Sequence, residues 1–270
     1  MTPDAPFRVG LVQMVSTPSV PENLSSAAKL VAEAAGQGAK LVVLPEYFCI
    51  LGMRDTDKVA AREEDGAGPI QDFLAEAAKR HGVWLVGGSV PLSCPDAGKV
   101  RNSCLVYDSK GRRVARYDKI HLFGLELGAE RFDEARTIAA GTEPCALESP
   151  FGRIALSVCY DVRFPELYRA LAPMDIILVP SAFTATTGRA HWETLLRARA
   201  IENLAWVLAP AQGGTHANGR QTHGHSMVVD PWGKVVAERA AGAGVVMADI
   251  DPTFQAKMRR GLPALAHRVL

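Results

Sequence analysis

Cys159, Glu46 and Lys119 have the side chains that acyl-transfer chemistry needs, and each stands where a predicted strand ends. A thiolate is a strong nucleophile, but a free thiol needs a base or a neighbouring cation to become one. A carboxylate such as Glu46 can take the thiol proton and later return it to a departing amine. A buried ammonium such as Lys119 stabilises both a thiolate and an oxyanion. Each residue alone also has an ordinary reading. Cys159 then fills a core, Glu46 forms a strand-end salt bridge, and Lys119 is a solvated hairpin end. Convergence of the three strand ends on one pocket separates the readings, and spacing alone does not establish it. The seven histidines include His121, His191, His216, His223 and His225. None closes an apolar run as Glu46 does, so a Cys–His pair has weak support.

The elements that must position these residues are legible in outline. Ile154 to Val158 follows the turn Ser149-Pro150-Phe151-Gly152 and reads as a buried strand. It delivers Cys159 just before a helix that Pro165 can open. Lys40 to Leu44 is a strand covered on both faces and leads through Pro45 to Glu46. Asn102 to Tyr107 and Arg112 to Tyr117 flank the turn Asp108-Ser109-Lys110-Gly111, a hairpin that ends next to Lys119. Further strands are expected over Arg8 to Val15, Val83 to Ser89, Ile176 to Val179, Leu204 to Ala211 and Val245 to Ile250. Helices are expected over Pro21 to Gly36, Pro69 to Arg80, Ala190 to Asn203 and Pro252 to Arg260. A second hairpin joins Ser226 to Val229 with Lys234 to Glu238. Ile120 to Thr142 is charged and irregular, and such a long loop is either functional or disordered. Val179-Pro180-Ser181-Ala182-Phe183 echoes Leu44-Pro45-Glu46-Tyr47-Phe48. A two-fold repeat of β-α-β units explains the echo, and so does the ordinary way buried strands end.

Composition excludes several classes. The chain has 30 Lys plus Arg against 29 Asp plus Glu, so nothing draws it to nucleic acid or to an acidic membrane. Its apolar runs are strand length, far short of the roughly 20 residues of a membrane span. Met1 to Pro6 lacks a basic and then apolar leader. Five cysteines with no C-x-x-C pair argue against disulfides and structural zinc, and point to a reducing, cytoplasmic setting. No cofactor or metal is called for, because the histidines lack metal-ligand spacing. No linker divides residues 1–270, which read as one α/β domain with mixed sheets.

Leu44-Pro45-Glu46, Tyr117-Asp118-Lys119-Ile120-His121-Leu122-Phe123 and Val158-Cys159-Tyr160-Asp161-Val162-Arg163-Phe164-Pro165-Glu166 together resemble the nitrilase superfamily of carbon–nitrogen hydrolases. The resemblance covers nearly the whole chain, in order. It implies a four-layer α-β-β-α sandwich, usually a homodimer or higher homo-oligomer built through helices next to the active site. It also implies a Glu-Lys-Cys triad of Glu46, Lys119 and Cys159. A second glutamate of the family falls on Glu134, within Phe132-Asp133-Glu134-Ala135, with Glu126 as the alternative.

Ala190 to Asn203, Gly224 to Gly233 and Arg259 to Arg268 look like deaminated glutathione amidases and, less closely, ω-amidases acting on α-ketoglutaramate. The implied reaction is hydrolysis of a small-molecule amide through a thioester, releasing α-ketoglutarate and cysteinylglycine from deaminated glutathione. The Tyr160 backbone N–H is then an oxyanion donor. Both branches need a cation for the substrate's distal carboxylate, and Arg163 is the candidate, with Thr184 as a hydrogen-bond donor. Arg163 also has an ordinary reading, an ion pair with Asp161 or Glu166. Two stretches depart from the branch, Gln221-Thr222-His223 and the lid Gly124 to Gly128, and both are candidates to border the substrate. A scaffold that keeps the fold without catalysis is the competing class, although it has no need of all three triad residues.

Overall fold

Two β-sheets pack face to face in the computed structural model, each covered outside by helices, in the expected four-layer α-β-β-α order. The structure describes residues 5–128 and 130–269, so the leader reading of Met1 to Pro6 falls mostly outside the described residues. The first sheet holds β1 (Phe7–Gln13), β2 (Leu41–Val43), β3 (Trp84–Val86), β4 (Val90–Ser93), β5 (Val100–Tyr107) and β6 (Arg113–Asp118), with β15 (Gly244–Ile250) on its edge. A short separate hairpin pairs β7 (Gly124–Leu127) with β8 (Glu130–Asp133). The second sheet holds β9 (Cys145–Ser149), β10 (Gly152–Leu156), β11 (Ile176–Leu178), β12 (Trp206–Ala209), β13 (Ser226–Val229) and β14 (Val235–Arg239). The helices are α1 (Val20–Gly36), α2 (Asp57–Ala60), α3 (Pro69–His81), α4 (Pro165–Leu171), α5 (Ala185–Asn203) and α6 (Pro252–Gly261).

Strand alternation sorts the core into layers. Val9, Leu11, Leu41, Val43, Cys104 and Val106 face the second sheet. Val12, Val42, Leu44 and Leu85, from the other side of these strands, pack on Val31 and Ala34 of α1 and on Ile70 and Leu74 of α3. Both helices start on Pro in the first turn, and Ser19 caps α1 by accepting from Glu22 N. Gly10 lets α1 approach closely, because a Cβ there would stand 2.7 Å from Ala34 Cβ. The second sheet carries the longer α5 on its outer face through Trp192, Leu196 and Ala200.

The two sheets repeat one plan. In the first, β1, β2 and β3 run parallel, with antiparallel β15 and β5 on either side. In the second, β10, β11 and β12 run parallel, with antiparallel β9 and β13 outside them. The Leu-Pro-Glu stretch after β2 and the Val-Pro-Ser stretch after β11 therefore occupy equivalent places, which explains their echo as a repeat. Parallel strands bring the carboxyl ends of β2, β10 and β11 to one edge, where ligand sites of such sheets form.

The region from Ile120 to Thr142 is more ordered than its composition suggests. It contains the β7–β8 hairpin and a 3-10 turn over Glu134–Arg136. Helix α5 also starts earlier than the apolar pattern indicates, at Ala185 instead of Ala190, because Thr184 caps it by accepting from Thr187 N. Among the described residues no helix is long and apolar enough to cross a membrane.

Candidate active site

Cys159 lies one short turn beyond β10, in a 3-10 segment spanning Cys159–Arg163. Its φ of 53° is in the left-handed region, which non-glycine residues enter at a cost. Asp161 holds the turn in place. This wholly buried carboxylate accepts from Val158 N at 2.8 Å, Tyr117 Oη at 2.7 Å and His121 N at 3.0 Å, and pairs with His121 Nδ1 at 2.8 Å. The Cys159 N–H donates to Pro180 O at 2.9 Å, tying the turn to the end of β11.

Glu46 follows β2 and is 1 % exposed. Its Oε1 accepts from Lys119 Nζ and from Asn102 Nδ2, both at 2.9 Å. Gln212, beyond β12, donates to the Glu46 carbonyl at 3.0 Å, so the second sheet fixes the backbone of the first. Gly88 supports the same turn from behind. A Cβ there would lie 2.0 Å from Pro45 O. Lys119 follows β6, is fully buried, and bonds Glu134 Oε2 at 2.7 Å as well as Glu46. Glu134 also accepts from Phe123 N at 2.7 Å and from Tyr47 Oη at 2.8 Å.

The electrostatics follow from one cation between two carboxylates. Burial disfavours the Lys119 ammonium, but Glu134 and Glu46 outweigh that effect and hold its pKa above the usual lysine range. Burial also works against the Glu134 carboxylate, and Lys119 overrides it, so Glu134 stays ionised. Burial and then the Glu46 charge push the Cys159 thiol well above its ordinary value, against the opposing pull of Lys119. The resting sulfur therefore keeps its proton. It becomes a nucleophile when a base removes that proton during attack, and Glu46, 1 % exposed, is the more deeply buried of the two carboxylates that share its pocket.

Cys159, Glu46 and Glu134 line one narrow pocket. Phe123, Tyr160 and Phe183 wall it, so water is largely excluded and charge interactions inside are strengthened. Arg163 lines it too. The ion pair with Asp161 is not formed, since Asp161 is committed to the Cys159 turn. Arg163 instead meets His191 Nδ1 at 3.2 Å and sits 5.6 and 5.5 Å from the Tyr160 and Phe183 ring centres. Thr184 borders the pocket, but its hydroxyl is shared with Thr187 Oγ1 at 2.9 Å as the cap of α5.

The sequence-predicted residues thus meet, except at the edges. Glu126 stands apart, mostly exposed and paired with Arg131 at 2.8 Å, whereas Glu134 is against Lys119. Gly124, Leu125 and Glu126 line an outer depression rather than the pocket. Within Gln221-Thr222-His223, Gln221 reaches only the outer cleft, and Thr222 bonds His216 Nε2 at 2.8 Å. Sequence reasoning missed Asn102, Tyr47 and Arg220. Asn102 and Tyr47 bond their site partners across 56 and 87 residues of chain, and only a fold model relates such positions. Arg220, from the glycine-rich loop, lines the pocket and packs over the Phe132 ring. Among the described residues no group of three His, Cys, Asp or Glu could hold a metal ion.

Known proteins share this arrangement of chain. A deaminated glutathione amidase of Synechocystis sp. is 42 % identical over 270 residues, covering 98 % of each chain. An omega-amidase of Xenopus tropicalis is 36 % identical, covering 98 % of this chain and 95 % of its own. The crystal structure of the C. elegans NitFhit protein superposes with a TM-score of 0.91 at 38 % identity, over all of this chain and 66 % of that one. The carbon-nitrogen hydrolase family model matches residues 8–260, which take in every strand end that forms the pocket. A buried carboxylate–ammonium–carboxylate network beside a cysteine, in this fold and with these relatives, makes the chain a member of the carbon-nitrogen hydrolase family, an enzyme of the nitrilase superfamily.

Proposed function

We propose that the chain hydrolyses deaminated glutathione to α-ketoglutarate and cysteinylglycine, with Cys159 as nucleophile, Glu46 as general base and acid, and Lys119 as the oxyanion's cation. The observation that carries this reading is the Glu46–Lys119–Glu134 network, buried against Cys159 in a pocket that also holds Arg163. Glu46 takes the thiol proton as sulfur bonds the amide carbon. The Lys119 ammonium and the Tyr160 backbone N–H hold the resulting oxyanion. The tetrahedral centre collapses with loss of the carbon–nitrogen bond, and Glu46 passes its proton to the departing amine. Glu46 then deprotonates a water that attacks the thioester, and the second collapse returns the proton to sulfur. The sum is amide plus water to acid plus amine. Glu134 keeps Lys119 charged and aimed, and Arg163, which has no carboxylate partner among the described residues, receives the carboxylate at the far end of the acyl half. Thr184 contributes to that end of the pocket.

The relatives include a deaminated glutathione amidase and omega-amidases, and the acyl half of deaminated glutathione matches α-ketoglutaramate. Hydrolysis of α-ketoglutaramate is therefore the second reading. Purified protein assayed on both compounds, with Cys159→Ala as control, tests it. A kcat/KM favouring deaminated glutathione more than about tenfold, roughly 1.4 kcal/mol of discrimination, supports the first reading. The reverse preference moves the chain to the second. Residues 1–270 act in this reading as one domain, in a cytoplasmic homodimer or higher homo-oligomer that sedimentation would detect.

A further inference from the structure

Two side chains at the mouth of the pocket are only half used. Glu130 Oε2 and Arg220 Nε are closed to solvent and have no hydrogen-bond partner among the described residues. A buried polar group left in this state is costly, so each calls for a ligand atom. Both residues are nevertheless held in place. Thr186 Oγ1 donates to Glu130 Oε1 at 2.8 Å, and Arg220 Nη2 donates to Ala182 O at 2.7 Å. The Arg220 guanidinium also rests 5.2 Å from the centre of the Phe132 ring, on the strand that carries Glu130.

Both line an open cleft that meets the narrow pocket, since Thr184 and Arg220 border each. Arg189 borders the same cleft and, with Arg220, offers positive charge to an anion, against Asp55 and Glu130 in the same lining. A substrate whose acyl half fills the pocket beside Cys159 must send its amine half out through this cleft. An amide N–H in that half matches the free Glu130 oxygen, and a carbonyl or carboxylate matches the free Arg220 N–H. Ammonia, the amine half of a primary amide, has no carbonyl or carboxylate to offer the Arg220 N–H.

We propose that Glu130 and Arg220 form a subsite for the leaving half of the substrate, and that this half is a peptide-like amine bearing a carboxylate. The proposal rests on the reading that Cys159 attacks an amide carbonyl held in the narrow pocket. It decides between the two substrates of that reading, because only deaminated glutathione has such a leaving half.

The test compares deaminated glutathione with α-ketoglutaramate on wild type and Glu130→Gln. The variant keeps the Thr186 bond but turns the free acceptor into a donor. The ratio of kcat/KM values, first substrate over second, should fall about tenfold. Arg220→Met should lower it in the same direction, and Arg220→Lys serves if the Met variant fails to fold. An unchanged ratio, or wild type that cleaves α-ketoglutaramate alone, overturns the subsite. If wild type cleaves neither compound, the substrate reading fails and binding judges the subsite separately. Cysteinylglycine titrated calorimetrically into wild type should then bind saturably, and at least about fivefold more weakly to both variants. Absent or variant-independent binding overturns the proposal.

Discussion

Replacing Glu134 with Gln should remove one charge from the site while leaving its hydrogen bonds intact. Glu134 Oε2 accepts from Lys119 Nζ and Phe123 N, and Oε1 accepts from Tyr47 Oη. A glutamine oxygen can serve the first two, and its amide can donate to the Tyr47 hydroxyl once that hydroxyl turns to accept. The stability cost is then the difference between charge-assisted and neutral hydrogen bonds, about 1–2 kcal/mol. Glu134→Ala is different. It strands the Phe123 N–H, the Tyr47 hydroxyl and one bond of the buried Lys119 ammonium, so about 3–5 kcal/mol should be lost. The chemistry changes in opposite senses. The negative charge of Glu134 raises the Cys159 pKa, so Glu134→Gln should speed alkylation of the resting thiol at pH 8. Lys119 loses the charged partner that aims it at the oxyanion, and kcat should fall about 10²-fold. Urea unfolding, iodoacetamide kinetics and steady-state assays on the same preparations measure all three. Equal destabilisation by Gln and Ala would refute the hydrogen-bond argument. Slower alkylation in Glu134→Gln, or an undiminished kcat, would refute the electrostatic one.

Other positions give independent checks. Asp161→Ala frees the donors that hold the Cys159 turn and should cost about 3 kcal/mol in urea unfolding, with a larger loss of kcat than of KM. Gly10→Ala drives a methyl against Ala34 of α1 and should cost about 1–3 kcal/mol without altering activity at saturating substrate. Burial, with His225 and Arg189 nearby, pushes His223 down to about 4. The unfolded chain therefore binds more protons there than the native one between about pH 6.5 and 4. That contribution to stability is complete above pH 6.5 and fades as pH falls toward 4. His223→Gln should accordingly lose less stability than wild type across that window, as measured by unfolding at pH 7, 5.5 and 4.5.

The strands that carry Glu46 and Cys159 were legible because they are buried on both faces and read as unbroken apolar runs between turn formers. Their convergence was not legible, since it depends on two sheets packing with their parallel strands aligned. The family resemblance supplied it. The β7–β8 hairpin escaped because its strands are only four residues each and largely exposed, too short for an alternating pattern to stand out. Helix α5 began before its apolar stripe because a threonine cap and a first turn containing Gly188 and two threonines carry no periodicity. Arg163 was singled out, but that it meets His191 rather than Asp161 became visible only once Asp161 was seen holding the Cys159 turn. Arg220 sits in a glycine-rich loop with no period at all, and only tertiary structure brings it to the pocket.

The central claim is that Cys159 bonds the acyl half of an amide. Wild-type enzyme mixed with deaminated glutathione, quenched in acid within milliseconds and analysed by peptide mass spectrometry, tests it directly. The account predicts an α-ketoglutaryl thioester on the peptide carrying Cys159 and none on the peptides carrying Cys49, Cys94, Cys104 or Cys145. Turnover with no acyl group on Cys159 at any quench time, or full activity in Cys159→Ala, would contradict it.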